Sequence, residues 1–255
     1  MYPIILDLPG KLSINSYGLM LAIGFFIGIQ LALARAKKEN VDPAFILSLT
    51  FWIFIAAIVG SRMLHVFAED LDKYIANPIK VFYLWEGGYA FYGGFLASFL
   101  VLFVFCIKNK MKILKITDML APSVAIGLAY GRMGCFLAGC CYGQESNSIF
   151  SVTFPIQTLG KASVPLLPTQ TISSLNAAII FLILTYFYNK KKFHGQIFFL
   201  FIILYSISRS TIEFFRDDHR GLFFNGLIST SQLISIGLIV ILMTYWGYKK
   251  YSTKS

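Results

Sequence analysis

The thirteen residues Gly131-Arg132-Met133-Gly134-Cys135-Phe136-Leu137-Ala138-Gly139-Cys140-Cys141-Tyr142-Gly143 place a guanidinium and three of the four cysteines at the end of an apolar, helix-like segment. A charge at the centre of a membrane helix costs roughly 2.5–3.5 kcal/mol, so an arginine there needs an anionic partner or water. The four glycines of the stretch let the backbone come close to a neighbouring helix or a bound group. Arg62 and Arg209 stand toward the ends of two other apolar runs, and Arg209, Glu213 and Arg216 follow i, i+4, i+7 spacing, which predicts one shared helix face. Planar guanidinium donors match phosphate oxygens two at a time. Such a set suits clamping the phosphate of a lipid that enters sideways from the bilayer. If that phosphate is a leaving group, the same cations stabilise the charge that develops on it.

Each of these residues also has a plainer reading. Arg209 and Glu213 at i, i+4 make an ordinary intrahelical ion pair. Arg132 could be satisfied by backbone carbonyls, Arg62 could snorkel to the outer headgroups, and Asp118, after Thr117, could cap a helix. Three readings compete for Cys135, Cys140 and Cys141: small polarisable packing residues, a redox pair in a compartment that permits disulfides, or a metal site. The last has the least support from spacing, because C-x4-C-C is not a zinc pattern and no histidine lies near in sequence. A fourth use is chemical, as a thiol nucleophile activated beside Arg132.

The elements that must position these groups are membrane helices. Of the 255 residues 57% are hydrophobic and 13% charged, and mean hydropathy is +0.70, too apolar for a soluble domain. The first apolar run has no basic stretch or small-residue cleavage site before it and is expected to be retained. The net charge of +10 is spread through alternate loops rather than gathered on one face, which argues against nucleic acid as a partner. Four cysteines do not make a disulfide framework in a chain of this size, and Cys106 lies apart from the others.

Apolar runs near 17–34, 46–65, 89–106, 119–136, 170–188, 196–212 and 231–247 are long enough to cross about 30 Å of hydrocarbon, which predicts an all-α protein of seven transmembrane helices in a single multi-pass domain, 1–255. Thirteen lysines and arginines fall on the side that holds Arg35, Lys108, Lys190 and Lys249, and seven on the other. The positive-inside rule then puts the amino terminus outside and the carboxyl terminus in the cytoplasm. The long loops, about 66–88, 144–168 and 213–230, lie outside, and the alternating Phe150-Ser151-Val152-Thr153-Phe154 predicts a strand in a small outer subdomain. Arg62, Arg132, Arg209 and Glu213 then all sit in the outer half of the membrane. That depth and the absence of a repeat argue against a transporter, whose charges lie near the midplane.

The frame Gly131-Arg132-x-Gly134-x-Phe136-x-x-Gly139-x-x-x-Gly143 resembles the signature of the prolipoprotein diacylglyceryl transferases, a family of bacterial inner-membrane enzymes. Further stretches fall in the family's order: Tyr17-Gly18, Gly87-Gly88-x-x-Phe91-x-Gly93-Gly94, Asp118-x-x-Ala121-Pro122, Pro168-Thr169-Gln170 and Tyr205-x-x-x-Arg209-x-x-x-Glu213-Phe214-Phe215-Arg216. The resemblance implies transfer of the diacylglyceryl group of phosphatidylglycerol to the lipobox cysteine in the signal peptide of a preprolipoprotein. A thioether forms, glycerol phosphate is released, and no metal or organic cofactor is required. It implies that Arg132 and Arg209 bind the phospholipid phosphate; Arg209, Tyr92 and Glu213 are then the candidate catalytic residues, and Tyr17, Gly93, Gly94, Gly131, Gly134, Cys135, Gly139 and Cys140 are expected to shape the site.

The chain departs from the family pattern at five positions. Cys135 and Ala138 stand where the signature has asparagine, Cys140 where it has glutamate, Tyr92 in place of a proposed catalytic histidine, and Leu167 in place of the histidine before Pro-Thr-Gln. Tyr92 could serve as a phenolate base if a guanidinium lowered its pKa from about 10, or as a donor to the phosphate. It could also be an interfacial tyrosine. His65, at the end of the second apolar run, is the histidine that could replace the base by position. Two alternatives to the transferase stay open: a divergent relative that keeps the phospholipid clamp but uses another acceptor or thiol chemistry, and a non-catalytic lipid-binding membrane protein.

Overall fold

The computed structural model describes residues 3–7, 13–68, 71–83, 87–154, 164–216, 222–223, 228–229 and 237. Six helices among them are long and apolar enough to cross a membrane: α1 (Ser16–Lys38), α2 (Pro43–Ala68), α4 (Phe91–Lys108), α5 (Ile113–Ala138), α6 (Thr169–Tyr188) and α7 (Gln196–Glu213). The chain is an all-α integral membrane protein, and the expected spans from 17 to 212 all appear as helices. The seventh expected span, 231–247, lies outside the described residues apart from Gly237. A short helix α3 (Leu71–Ala76) and a 3-10 turn (Pro78–Phe82) occupy the first long loop.

Three short antiparallel pairs complete the described structure. They are β1 (Ile4–Asp7) with β2 (Ser13–Asn15), β3 (Val152–Thr153) with β4 (Pro165–Leu166), and β5 (Leu222–Phe223) with β6 (Ile228–Ser229). The strand expected over 150–154 is cut to two residues, with Val152 opposite Leu166. The amino-terminal pair was not anticipated, although Pro9-Gly10 between two apolar stretches is a turn signal.

Two helices end in the same way. Asn40 and Lys110 adopt left-handed φ angles of 52° and 55° just past α1 and α4. The next amide donates back five residues, Val41 to the Ala36 carbonyl at 2.9 Å and Met111 to the Cys106 carbonyl at 2.8 Å. These bonds satisfy carbonyls that a helix end would otherwise leave without partners. Asp118 is not a cap: α5 starts at Ile113, so Asp118 lies in its second turn and is fully buried.

Contacts divide the chain into two compact units, Ala32–Met119 and a second made of Met1–Leu31 and Leu120–Ser255. In the first, α2 packs along α4 through residues without side-chain bulk. A Cβ on Gly60 would stand 2.5 Å from both the Ala97 Cβ and the Gly93 carbonyl oxygen, and one on Gly94 would stand 2.8 Å from the Ala57 carbonyl. Small residues at such spacing let helix backbones touch in a membrane, where dispersion rather than water exclusion holds helices together. Gly60→Val is therefore expected to force α2 and α4 apart and to lower stability by about 1–3 kcal/mol. Thermal unfolding in detergent measures this, and an unchanged melting temperature would show that the contact is dispensable.

The 3-10 turn and Gly87-Gly88 are gathered around Arg62, which is only 3% exposed. Its Nε donates to the Val81 carbonyl at 3.1 Å, Nη2 to Lys80 at 2.7 Å and Tyr83 at 3.2 Å, and Nη1 to Gly88 at 3.1 Å and to Gly87. The guanidinium also stands 5.2 Å from the centre of the Tyr74 ring. Arg62 therefore neither snorkels to headgroups nor belongs to a phosphate clamp, because its donors are occupied by loop carbonyls. His65 is buried in the same cluster, its ring edge-on to Tyr74 at 6.2 Å and packed against Gly88.

Candidate active site

In the unit formed by Met1–Leu31 and Leu120–Ser255, α1 packs against α5. A Cβ on Gly134 would lie 3.1 Å from the Tyr17 ring and 3.2 Å from the Met20 Cβ, and one on Gly131 would meet only Leu21, at 3.4 Å. Gly134 thus seats Tyr17 against the last two turns of α5. At the end of α5, Gly139 is left-handed (φ 74°), its amide donates to the Phe136 carbonyl at 3.2 Å, and the Cys140 amide donates to the Cys135 carbonyl at 3.1 Å. This is the same ending found after α1 and α4, in which the amide of the residue after the left-handed one donates back five positions. Here the donor and acceptor residues are Cys140 and Cys135.

Cys141 is also left-handed (φ 62°), a conformation that a residue with a Cβ adopts at a cost. The residues opening α6 hold this turn. Thr169 Oγ1 donates to the Cys141 carbonyl at 3.1 Å, and Gln170 Nε2 donates to the Cys140 carbonyl at 2.7 Å. Gly143 donates its amide to the Leu167 carbonyl at 2.9 Å and Gln144 to the Phe215 carbonyl at 3.1 Å. The signature loop is therefore tied to the start of α6 and to the end of α7. A Cβ on Gly143 would stand 2.5 Å from the Phe215 carbonyl oxygen, so only glycine fits.

The three Sγ atoms of Cys135, Cys140 and Cys141 lie within 4.8 Å of one another. Together with Pro3, Asn15, Tyr17 and Ala138 they line a cavity of about 390 Å³. Hydrogen bonds from the Cys135 and Cys140 thiols, helped by the Arg216 and Arg132 guanidiniums, push the Cys141 thiol well below its ordinary range. Gly139→Ala is expected to lower stability by about 1–2 kcal/mol, the cost of a Cβ in the left-handed region. It should also reduce the yield of a Cys135–Cys140 crosslink under mild oxidation. A variant with wild-type melting and wild-type crosslinking would remove the helix ending as the cause of the cluster.

Arg132 is half-buried on α5, close enough to Cys140 and Cys141 for its charge to act on both thiols. Arg209 Nη1 donates to Glu213 Oε2 in an intrahelical ion pair whose side chains are 19% and 13% exposed. Arg216 does not share their helix face. α7 stops at Glu213, the chain turns through Phe214 and Phe215, and Arg216 pairs with Gly143 in a short antiparallel bridge. Tyr92, Gly93 and Gly94 belong to the other unit. There Gly93 and Gly94 let α4 touch α2, and Tyr92 is exposed with its ring 5.7 Å from that of Phe91.

Asn15 and Pro3 were not anticipated as neighbours of the cysteines. The convergence of the thiols was legible in principle, because a glycine directly before the second cysteine of C-x4-C is the pattern this helix ending requires.

The family model described as prolipoprotein diacylglyceryl transferase matches residues 3–248. A phosphatidylglycerol–prolipoprotein diacylglyceryl transferase 2 of Clostridium perfringens is 35% identical over 229 residues, covering 90% of this chain and 88% of that one. The corresponding transferase of Finegoldia magna is 35% identical over 246 residues, with 96% and 95% covered, and that of Clostridium tetani is 32% identical over 241 residues, with 94% and 95% covered. The match runs from β1 through every described span and takes in the signature loop, so the chain belongs to the prolipoprotein diacylglyceryl transferase family.

Proposed function

We propose that this chain transfers the diacylglyceryl group of phosphatidylglycerol to the lipobox cysteine thiol of preprolipoproteins, releasing glycerol phosphate. The observation that carries this reading is Arg132, a half-buried cation on a membrane helix whose charge reaches Cys140 and Cys141 in the wall of a 390 Å³ cavity. The amino terminus lies outside, the carboxyl terminus in the cytoplasm, and the reaction takes place at the outer leaflet of the bacterial inner membrane.

In chemical terms a thiolate attacks the terminal glycerol carbon and a phosphate ester leaves. Arg132 and Arg209 bind the phosphate and stabilise the charge that it gains as the carbon–oxygen bond breaks. Glu213 holds the Arg209 guanidinium in place through the ion pair. Tyr17 and the cysteines shape the wall of the cavity. The test is to incubate purified protein in phosphatidylglycerol micelles with a lipobox peptide and follow glycerol phosphate. Peptide-dependent release is expected. Arg132-dependent binding of phosphatidylglycerol without release would make the protein a lipid binder and sink the transferase reading.

A further inference from the structure

We propose that Cys135, Cys140 and Cys141 hold a zinc ion whose fourth position opens into the cavity and receives the acceptor thiol. The zinc site stands by itself, while its use for the acceptor rests on the transferase reading above. Three thiolates around zinc at about 2.3 Å place their sulfurs about 3.8 Å apart in a tetrahedral site. The sulfurs here lie within 4.8 Å, so side-chain rotations that close no more than about 1 Å complete the site. The linear spacing C-x4-C-C conceals this, because the two left-handed residues Gly139 and Cys141 fold the second and third cysteines back toward the first. The backbone on which they stand is fixed by Thr169 and Gln170.

Three protein ligands with an open position are the arrangement of a reactive zinc rather than a structural one. The open side is the cavity, which all three cysteines line. Charge favours the same assignment: zinc with three thiolates carries one net negative charge, and a fourth thiolate makes it two. The Arg132 and Arg216 guanidiniums stand near the cluster to offset them.

The chemistry also needs such a group. Thiolate, not thiol, is the nucleophile, yet neither a carboxylate nor a histidine is among the described residues lining the cavity. A thiol bound to zinc is deprotonated outright. The acceptor S–H loses its proton to solvent on coordination, and a sulfur lone pair then forms the S–C bond to the glycerol carbon. The C–O bond to phosphate breaks, with its electron pair on the leaving oxygen. The thioether product is neutral and a weaker ligand, so it leaves the zinc. No electron is gained or lost overall.

The test starts with the wild-type chain in detergent micelles, loaded with zinc, dialysed and measured for metal content. About one zinc per chain is expected, and cadmium in its place should give the ultraviolet charge-transfer band of metal-bound thiolate. Cys135→Ser, Cys140→Ser and Cys141→Ser should each weaken zinc binding by more than the roughly 10–100-fold that loss of an outer partner costs. Cys106→Ser, on α4, should leave the zinc content unchanged. Stripping zinc with a chelator should abolish peptide-dependent glycerol phosphate release without loss of phosphatidylglycerol binding, and added zinc should restore it. A wild-type chain that takes up no zinc or cadmium, or in which two of the three thiols are joined in a disulfide, overturns the site. Full activity after complete stripping overturns the delivery of the acceptor. Absence of release in every metal state defeats the transferase reading instead, while metal content and the cadmium band still decide the site.

Discussion

Arg132→Ala is expected to lower peptide-dependent glycerol phosphate release by about 10²–10³-fold, the range for removing one preorganised donor aimed at developing charge. Arg132→Lys should recover only part of the loss, because an ammonium keeps the charge but not the paired donors that match two phosphate oxygens. The same substitutions should not lower the melting temperature in detergent. A half-buried guanidinium in an apolar helix is a cost of folding, up to roughly 2.5–3.5 kcal/mol at a helix centre, so its removal relieves the protein rather than weakening it. This separates a functional arginine from a structural one. Activity within tenfold of wild type, or a loss of activity that follows a loss of stability, would remove Arg132 from the phosphate clamp.

Arg62→Ala should behave in the opposite way. It removes the partner of the Lys80, Val81, Tyr83, Gly87 and Gly88 carbonyls together with the contact with Tyr74. Each buried carbonyl left without a partner costs about 1–3 kcal/mol. Some will be rehydrated as the loop loosens, so a net loss of about 3 kcal/mol is expected. For a chain of this length that corresponds to a fall in apparent melting temperature of roughly 6–12 °C. Limited proteolysis should show earlier cleavage in the 78–88 loop. Arg62→Lys should restore little, because one ammonium has three donors for five acceptors. Affinity for phosphatidylglycerol should be unchanged, and a selective loss of that affinity at wild-type stability would return Arg62 to the clamp.

The two arginines show how far sequence carries. Both were visible as charges in apolar runs, and the same cost argument applies to each. What separates them is the local backbone: the turn at Pro78–Phe82 and the left-handed Gly87 and Gly88 aim carbonyls at Arg62. Nothing in residue type or spacing says where a loop's carbonyls will point. The ion pair of Arg209 with Glu213 was legible, because i, i+4 spacing on a helix is a local geometric fact. The placement of Arg216 on that same face was not correct, because it depends on where α7 stops, and the pairing of Gly143 with Arg216 decides that.

By itself the sequence determined that the protein is a membrane protein, where its described spans run, and that it carries the glycine and arginine frame of its family. These follow from hydropathy summed over a window and from motifs of fixed spacing, both of which are local. The tertiary structure decided that three cysteines with no recognisable metal spacing share one wall of a cavity, that the Pro-Thr-Gln stretch fixes the turn carrying them, and that Gly60 and Gly93 serve helix contact. Those outcomes depend on left-handed residues and on hydrogen bonds between segments as much as thirty residues apart, so no pattern confined to one segment contains them.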